Sequence, residues 1–321
     1  MDRPLRIGTR ESQLAVWQAM LVQSLLNEAG IASELVYIKS EGDIDVVTPL
    51  YQLGVQGIFT KTLDAALLSN RVDLAVHSMK DVPTLLAQGL QQSAVLKRAS
   101  HHDIFVYKDE AVLLELGYQN GTWGFEKVSD ASPFVLATSS IRRKAQWLHQ
   151  YPNHQFENLR GNVNTRLRKV EESTWAGAIF AAAGLERINL RPQQAVDLDW
   201  MLPAPAQGAI MVVCRASDKT AFDACQSFND PDTALCTKVE RDFLKTLMGG
   251  CSTPISALAT INEDSVFFRG NICSVDGSAL QDCAVTRTVA EAETLGLRAA
   301  NDLLQNEKAQ KIMTGIRHAK N

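Results

Sequence analysis

The pattern of apolar and polar positions in the first hundred residues predicts strands that alternate with helices. Short apolar runs predict strands at Leu5–Gly8, Glu34–Ile38 and Val72–His77. Apolar residues at helical spacing predict helices over Leu14–Leu25 and Lys61–Leu68. Strands separated by helices are typical of a parallel sheet with both faces covered, so we expect an α/β fold here.

A second block with the same alternation begins near residue 101. Apolar runs predict strands at Phe134–Ala137, Phe156–Leu159 and Ala178–Ala182. Helical spacing predicts helices ending near Gln150 and over Val163–Val170. The proline-rich break LPAPAQG then separates this block from a strongly apolar strand at positions 209–214.

The pattern changes again beyond residue 230. We expect a helix over Lys238–Leu247, a hairpin formed by Ser265–Val275 and Ser278–Thr288, and a final helix over Ala290–Leu304. This order of elements indicates a small α+β domain.

Composition narrows the class of protein. Hydrophobic residues make up 45% of the 321 residues, enough to bury several cores. The net charge of −4 argues against a dedicated nucleic-acid-binding protein. No apolar run approaches the ~18 residues of a membrane span, and no apolar leader is visible near the first residues. We therefore expect a cytoplasmic protein without a membrane partner, whose cysteines, none of them in a CxxC pair, stay reduced.

Basic residues are concentrated in one segment. Residues 138–191 hold nine basic and four acidic side chains, a net charge of +5, which leaves −9 for the rest of the chain. A solvated helix face is one interpretation. The other is an anion site, because Arg142 and Arg143 follow a Ser/Thr-rich turn and Arg160 comes at the end of a strand. Such a site would take phosphates or carboxylates.

Two further motifs each allow two interpretations. Asp81 follows a buried strand and either caps the turn before Pro83 or faces a crevice, with Lys80 holding it ionised. Cys251 follows two glycines and is either a buried thiol in a tight turn or an exposed thiol for covalent attachment or nucleophilic chemistry. The chain has no phosphate-binding glycine motif and no Cys/His metal pattern, so we expect no metal.

Several longer motifs together closely resemble one family. They are RIGTRESQLA, HSMKDVP, TSSIRRKAQ, LRGNVNTRL, AAAGLERI, PAPAQGA and ERDFLKTLMGGCSTPI, and they occur in the family's order over nearly the whole chain. The family is porphobilinogen deaminase, also called hydroxymethylbilane synthase.

The resemblance implies an α/β fold of three domains. The first two resemble the two lobes of a type II periplasmic binding protein, and the third is a small α+β domain that carries the cysteine. On this basis we expect residues 1–100 and 205–228 in domain 1, 101–204 in domain 2 and 229–321 in domain 3.

The resemblance also implies a transferase of tetrapyrrole (porphyrin, haem) biosynthesis. Such an enzyme condenses four porphobilinogen molecules head to tail, releases ammonia and yields hydroxymethylbilane. Its cofactor is a dipyrromethane held by a thioether, here on Cys251. The family precedent suggests a monomer, with porphobilinogen as the small-molecule partner.

Site residues follow from the matching motifs. Asp81 matches the catalytic carboxylate, which would stabilise the cationic pyrrole nitrogen that forms when ammonia leaves. The residues expected to bind cofactor or substrate are Arg10, Ser12, Ser78, Lys80, Thr138, Ser139, Ser140, Arg142, Arg143, Arg160, Gly161, Arg166 and Arg187. The glycine-rich segment 42–57 is expected to be a lid, with Gln56 where the family usually has lysine, and with Lys61 at the start of the next helix.

The chain departs from the family at a few other positions, and two other classes remain open. Thr62 and Ala206 differ from the usual residues, and the stretch 108–131 is longer than in many relatives. A solute-binding protein would share the lobes but lack a covalent group. A phosphate-handling transferase would use the TSSIRR segment for phosphate.

Overall fold

The computed structural model describes residues 3–39, 60–124, 132–249 and 253–318. Its strands form three main sheets. Gln56 and Cys251 lie outside the described residues, as does the expected lid segment 42–57. No helix in the described ranges is both long and apolar enough to cross a bilayer.

The first sheet has five strands in the order β2-β1-β3-β12-β4. Its strands are β1 (Leu5–Thr9), β2 (Ser33–Tyr37), β3 (Leu74–Ser78), β4 (Leu90–Val95) and β12 (Ile210–Arg215). Its helices are α1 (Gln13–Glu28), α2 (Lys61–Leu68) and α7 (Lys219–Ala224). Strand β3 is buried on both faces because Leu74 and Val76 pack on the α1 side, whereas Ala75 packs on the α2 side.

The second sheet has the order β11-β5-β10-β8-β9. Its strands are β5 (Asp103–Tyr107), β8 (Val135–Ala137), β9 (Gln155–Glu157), β10 (Gly177–Ala181) and β11 (Ala195–Asp197). The helices around it are α3 (Glu110–Glu115), α4 (Ile141–Gln150), α5 (Val163–Glu172) and α6 (Ala182–Glu186). A two-stranded ribbon, β6 (Tyr118–Gln119) and β7 (Thr122–Trp123), lies in the longer stretch noted in the sequence.

The third sheet is an antiparallel meander, β13-β14-β15. Its strands are β13 (Ile255–Asn262), β14 (Ser265–Cys273) and β15 (Leu280–Thr288). Helices α8 (Pro231–Thr246), α9 (Leu295–Leu303) and α10 (Glu307–His318) pack on it. Gly296 lets α9 approach α8 closely, because any Cβ there would overlap the carbonyl of Val239.

The α/β fold and the hairpin are confirmed, but the expectation of parallel sheets is only partly right. Strand β1 is parallel to β2 and β3, whereas β12 runs antiparallel to β3 and β4. In the second sheet β5 is antiparallel to β10 and β11. The expected final helix is a 3-10 turn, Val289–Thr294, followed by α9, and α10 was not expected.

Candidate active site

Asp81 lies at the carboxyl end of β3, on a short 3-10 helix, Met79–Asp81. Met79 is buried in the core under this turn and its amide donates to the Ala209 carbonyl at 3.0 Å. The side chains of Lys80 and Asp81 are half-buried. The fold therefore places a carboxylate and an ammonium on consecutive residues at the carboxyl end of β3, the central strand of the first sheet.

The second sheet contributes the amino end of α4. After β8, Ser140 caps the helix by accepting from the Arg143 amide at 3.4 Å. Ser139 Oγ donates to the Leu159 carbonyl at 2.7 Å, and Thr138 Oγ1 accepts from the Ser140 amide at 3.3 Å. These hydroxyls hold the turn that presents Arg142 and Arg143.

Arg142 and Arg143 share a buried carboxylate that the sequence analysis missed. Arg142 Nη1 lies 2.7 Å from Asp103 Oδ2, and Arg143 Nη2 lies 2.8 Å from Asp103 Oδ1. Arg142 also donates to the Leu202 carbonyl at 2.8 Å, and Arg143 to that of Ile179 at 3.1 Å. The one local signal was a carboxylate at the head of the apolar run DIFVY.

Gln207 connects this carboxylate to the Asp81 turn. Its Nε2 donates to Asp103 Oδ1 at 3.0 Å and to the His101 carbonyl at 2.8 Å, while its Oε1 accepts from Lys80 Nζ at 3.1 Å. Gln207 lies on the segment that returns from the second sheet to the first. A chain of hydrogen bonds therefore runs from the first sheet to the arginine pair of the second.

Ala206, one of the departures from the family motif, precedes Gln207 at a strained position. Its φ is +62°, in the left-handed region that favours glycine. Its amide donates to Glu240 Oε2 at 2.6 Å, which holds this conformation. Gly208 follows with φ +88°, and a Cβ there would lie 2.6 Å from the Ser100 carbonyl oxygen.

Arg160, Gly161 and Arg166 form the next part of the site. Gly161 has φ +110°, and a Cβ there would lie 2.8 Å from the Thr165 side chain, so the turn requires glycine. Its carbonyl accepts from Arg166 Nε at 2.7 Å. The Arg160 carbonyl accepts from Lys169 Nζ at 3.2 Å, and the Arg160 side chain is buried.

Three of the remaining expected residues, Ser12, Ser78 and Arg187, contact helix α1. Ser12 caps α1 by accepting from the Ala15 amide at 3.4 Å, and Ser78 Oγ accepts from Gln18 Nε2 at 2.9 Å. Arg187 donates to the Gly208 carbonyl at 2.6 Å, with its guanidinium 5.8 Å from the Trp17 ring centroid. Lys61 is exposed at the start of α2.

Burial and neighbouring cations lower the pKa values of two basic residues in the site. Burial, and then Arg143, lower the pKa of Lys80 to about 8, although Asp81 and Asp103 oppose the shift. Burial, Arg143 and Arg160 lower the pKa of Arg166 to about 10. Burial alone would raise the pKa of Asp103, but Arg142 and Arg143 hold it well below its usual range.

Positive charge exceeds negative charge in this cluster. Five buried or half-buried cations belong to it: Lys80, Arg142, Arg143, Arg160 and Arg166. Asp81 and Asp103 are the carboxylates whose negative charge counteracts the lowering of the pKa of Lys80, and Asp81 does the same for Arg166. Mutual repulsion between desolvated cations is relieved by a ligand that carries several anionic groups, so the geometry fits a polycarboxylate or polyphosphate. No metal-binding group of three or more His, Cys, Asp or Glu is found in the ranges that the structure covers.

Comparison with known proteins distinguishes between these ligand classes. Residues 5–223 match the family model "Porphobilinogen deaminase, dipyromethane cofactor binding domain", and residues 234–305 match "Porphobilinogen deaminase, C-terminal domain". The porphobilinogen deaminase of Syntrophotalea carbinolica is 40% identical over 304 residues, 94% of this chain and 92% of that protein. The chloroplastic porphobilinogen deaminase of Oryza sativa is 41% identical over 292 residues, 88% of this chain and 77% of that protein.

Among solved structures, the VFT2 domain of Bordetella pertussis BvgS matches with a TM-score of 0.41 and 13% identity, over 72% of this chain and 90% of that chain. A likeness at that level carries no argument about function. The family models and the relatives do, because they match over most of the chain. The chain therefore belongs to the porphobilinogen deaminase family, whose cofactor is a dipyrromethane.

Proposed function

We propose that this chain condenses four porphobilinogen molecules head to tail onto a dipyrromethane attached to Cys251 by a thioether, releasing ammonia and then hydroxymethylbilane. The observation that carries this proposal is the position of Asp81, at the end of a buried strand beside a cluster with excess positive charge.

The residues present fit the cofactor and the growing chain. Each pyrrole of a dipyrromethane bears two carboxylates, and the cluster offers guanidinium groups whose forks match carboxylates. When bound, the dipyrromethane supplies the nucleophilic pyrrole carbon. Arg143, Arg160 and Arg166 would hold its carboxylates, and we expect Arg10 and Arg187 to add to this set because they belong to the matching motifs.

Arg142 and Arg143 are both held by Asp103. The guanidinium of Arg142 is buried between Asp103 and the Leu202 carbonyl, and that of Arg143 contacts Asp103 and the Ile179 carbonyl, so Asp103 fixes the position of both. The hydroxyls of Thr138, Ser139 and Ser140 hold the turn that begins α4. Ser12 and Ser78 support the same arrangement from the first sheet.

Asp81 performs the proton and charge chemistry. Its carboxylate accepts a hydrogen bond from the pyrrole N–H of the substrate and stabilises the positive charge that develops as ammonia leaves. It can also receive the proton that is lost when the new carbon–carbon bond is complete. Lys80, the residue before it, adds a positive charge to the same turn.

We further propose that segment 42–57, with Gln56, and Lys61 cover the bound chain. The enzyme would act as a monomer in the cytoplasm, with porphobilinogen as its partner and no nucleic acid or membrane. Neither alternative class is supported by the family models, which match residues 5–223 and 234–305. A solute-binding protein has no need of a covalent group, and a phosphate-handling transferase has no use for a dipyrromethane.

Intact mass and activity test this function. The purified chain should exceed its sequence mass by two pyrrole units and colour with acidic Ehrlich reagent, and Cys251→Ser should remove both signals and the activity. Cys214→Ser, which changes a buried thiol of the first sheet, is the control and should keep them. Asp81→Asn should keep the added mass but lose at least ~10²-fold in turnover. A native mass equal to the sequence mass would refute the attachment, and normal turnover of Asp81→Asn would refute the role of Asp81.

A further inference from the structure

The turn that carries Asp81 is held by a side chain from helix α8, which packs on the third sheet. Arg241, on α8, donates from Nη1 to the Val82 carbonyl at 2.9 Å and to the Met79 carbonyl at 3.3 Å. Its Nη2 donates to the Pro83 carbonyl at 2.6 Å. One guanidinium therefore contacts carbonyls on both sides of Asp81.

The main chain holds this turn at its first residue, where the Met79 amide donates to the Ala209 carbonyl at 3.0 Å. The 3-10 helix is three residues long, and the Val82 amide donates to the Met79 carbonyl at 3.1 Å. Pro83 has no amide hydrogen with which to continue the helix. Carbonyls at the end of a helix need other donors, and the fork of Arg241 supplies them.

The helix that carries Arg241 is itself fixed at the next residue. Glu240 pairs with Arg98, with Nη1 to Oε1 at 2.5 Å and Nη2 to Oε2 at 3.1 Å. It also accepts from the amides of Ala206 and Ala259, at 2.6 and 2.7 Å. Because Glu240 is fully buried, α8 cannot slide past the first sheet without breaking these contacts.

We propose that Arg241 is a positioning residue, which fixes the Asp81 carboxylate by holding the carbonyls of Met79, Val82 and Pro83. The inference rests on the proposed role of Asp81. Arg241 itself acts through the backbone of the turn and not on the substrate.

The test compares Arg241→Met with a matched arginine elsewhere. Arg215 also donates to two backbone carbonyls, those of Leu67 at 3.0 Å and Val72 at 2.6 Å, but it lies away from the Asp81 turn. Both variants should lower the midpoint of urea unfolding. Arg241→Met should also lose about ten- to a hundredfold in kcat with KM within about twofold, because small displacements of a catalytic group cost that much. Arg215→Met should keep kcat.

Two further measurements separate positioning from general support. Amide hydrogen exchange, read by mass spectrometry on the holoenzyme, should rise in the peptide that spans residues 79–84 in Arg241→Met and stay unchanged there in Arg215→Met. In an Asp81→Asn background, Arg241→Met should change the residual single-turnover rate less than twofold, because the group it positions is already absent. Should Arg241→Met not accumulate as folded protein, Arg241→Lys, which keeps the charge but not the fork, gives the same comparisons with a kcat loss of about three- to tenfold.

The positioning role of Arg241 would be refuted if kcat of Arg241→Met fell no more than kcat of Arg215→Met. It would also be refuted if the fold-losses in rate of Arg241→Met and Asp81→Asn multiplied in the double variant. Unchanged exchange over residues 79–84 would also overturn it. Full turnover of Asp81→Asn would instead refute the proposed role of Asp81, while the exchange measurement would still report on the contact of Arg241 with the turn.

Discussion

Replacing Asp103 by asparagine preserves the shape of the side chain but removes the charge that Arg142 and Arg143 share. All three side chains are buried, with exposed fractions of 0%, 4% and 7%. Removing one partner of a buried ion pair leaves the other charge uncompensated and typically costs about 3–5 kcal/mol. Here two guanidiniums lose their carboxylate, and the new amide NH₂ would face donors. We therefore expect Asp103→Asn to lower the free energy of unfolding by about 3–5 kcal/mol.

Urea unfolding of the holoenzyme at neutral pH, followed by tryptophan fluorescence, measures this difference. The control is Asp197→Asn, since Asp197 pairs with Arg191 at the surface, where both side chains are substantially exposed. That change should cost no more than about 1 kcal/mol. A loss below about 1 kcal/mol for Asp103→Asn would refute the reasoning that the pair is desolvated and essential.

The pH dependence of the same difference gives a second check. The arginines depress the folded-state pKa of Asp103 below its ordinary value of 3.8, so its contribution is present above the unfolded pKa and is lost as the pH falls towards the folded one. The gap in stability between the natural chain and Asp103→Asn should therefore be constant near pH 7 and narrow below about pH 4. A gap that widened in acid would contradict the sign of the shift.

Two further predictions concern the charge on the bound chain. Arg143→Ala and Arg160→Ala should each yield apoprotein or stalled enzyme–pyrrole intermediates on native mass spectrometry, because a desolvated carboxylate of the bound chain loses its guanidinium partner. Arg191→Ala, at the surface, is the control and should behave like the natural chain. Identical behaviour of all three variants would show that the cluster is only a solvated face. Gln56→Lys should lower KM for porphobilinogen modestly at low ionic strength, by an amount equivalent to about 0.2–1 kcal/mol of binding free energy, and should hardly change KM at high salt. An equal decrease in KM at both salt concentrations would exclude a charge effect at position 56.

The local pattern of the chain was sufficient for elements whose burial repeats with a regular period. Strand β3 is apolar on both faces and α1 has apolar residues at helical spacing, so both were predicted within a few residues. The turn residues around Asp276 and Gly277 predicted the β14–β15 hairpin for the same reason, because turn chemistry acts between neighbours in sequence. Candidate side chains at strand ends, such as Asp81 and Arg160, followed from the placement of those strands.

Strand direction and long-range pairing were decided only by the tertiary structure. Nothing in the residues of β12 shows that it enters the first sheet antiparallel to β3, because that depends on where a chain segment more than a hundred residues long leaves and returns. The partners that complete the site have the same origin. Asp103, Gln207 and Arg241 are ordinary polar residues in sequence, and they gain their roles from contacts with side chains and carbonyls 39 to 162 positions away. Buried charge requires a partner wherever the fold can supply one, and which residue supplies it is a property of the packed chain.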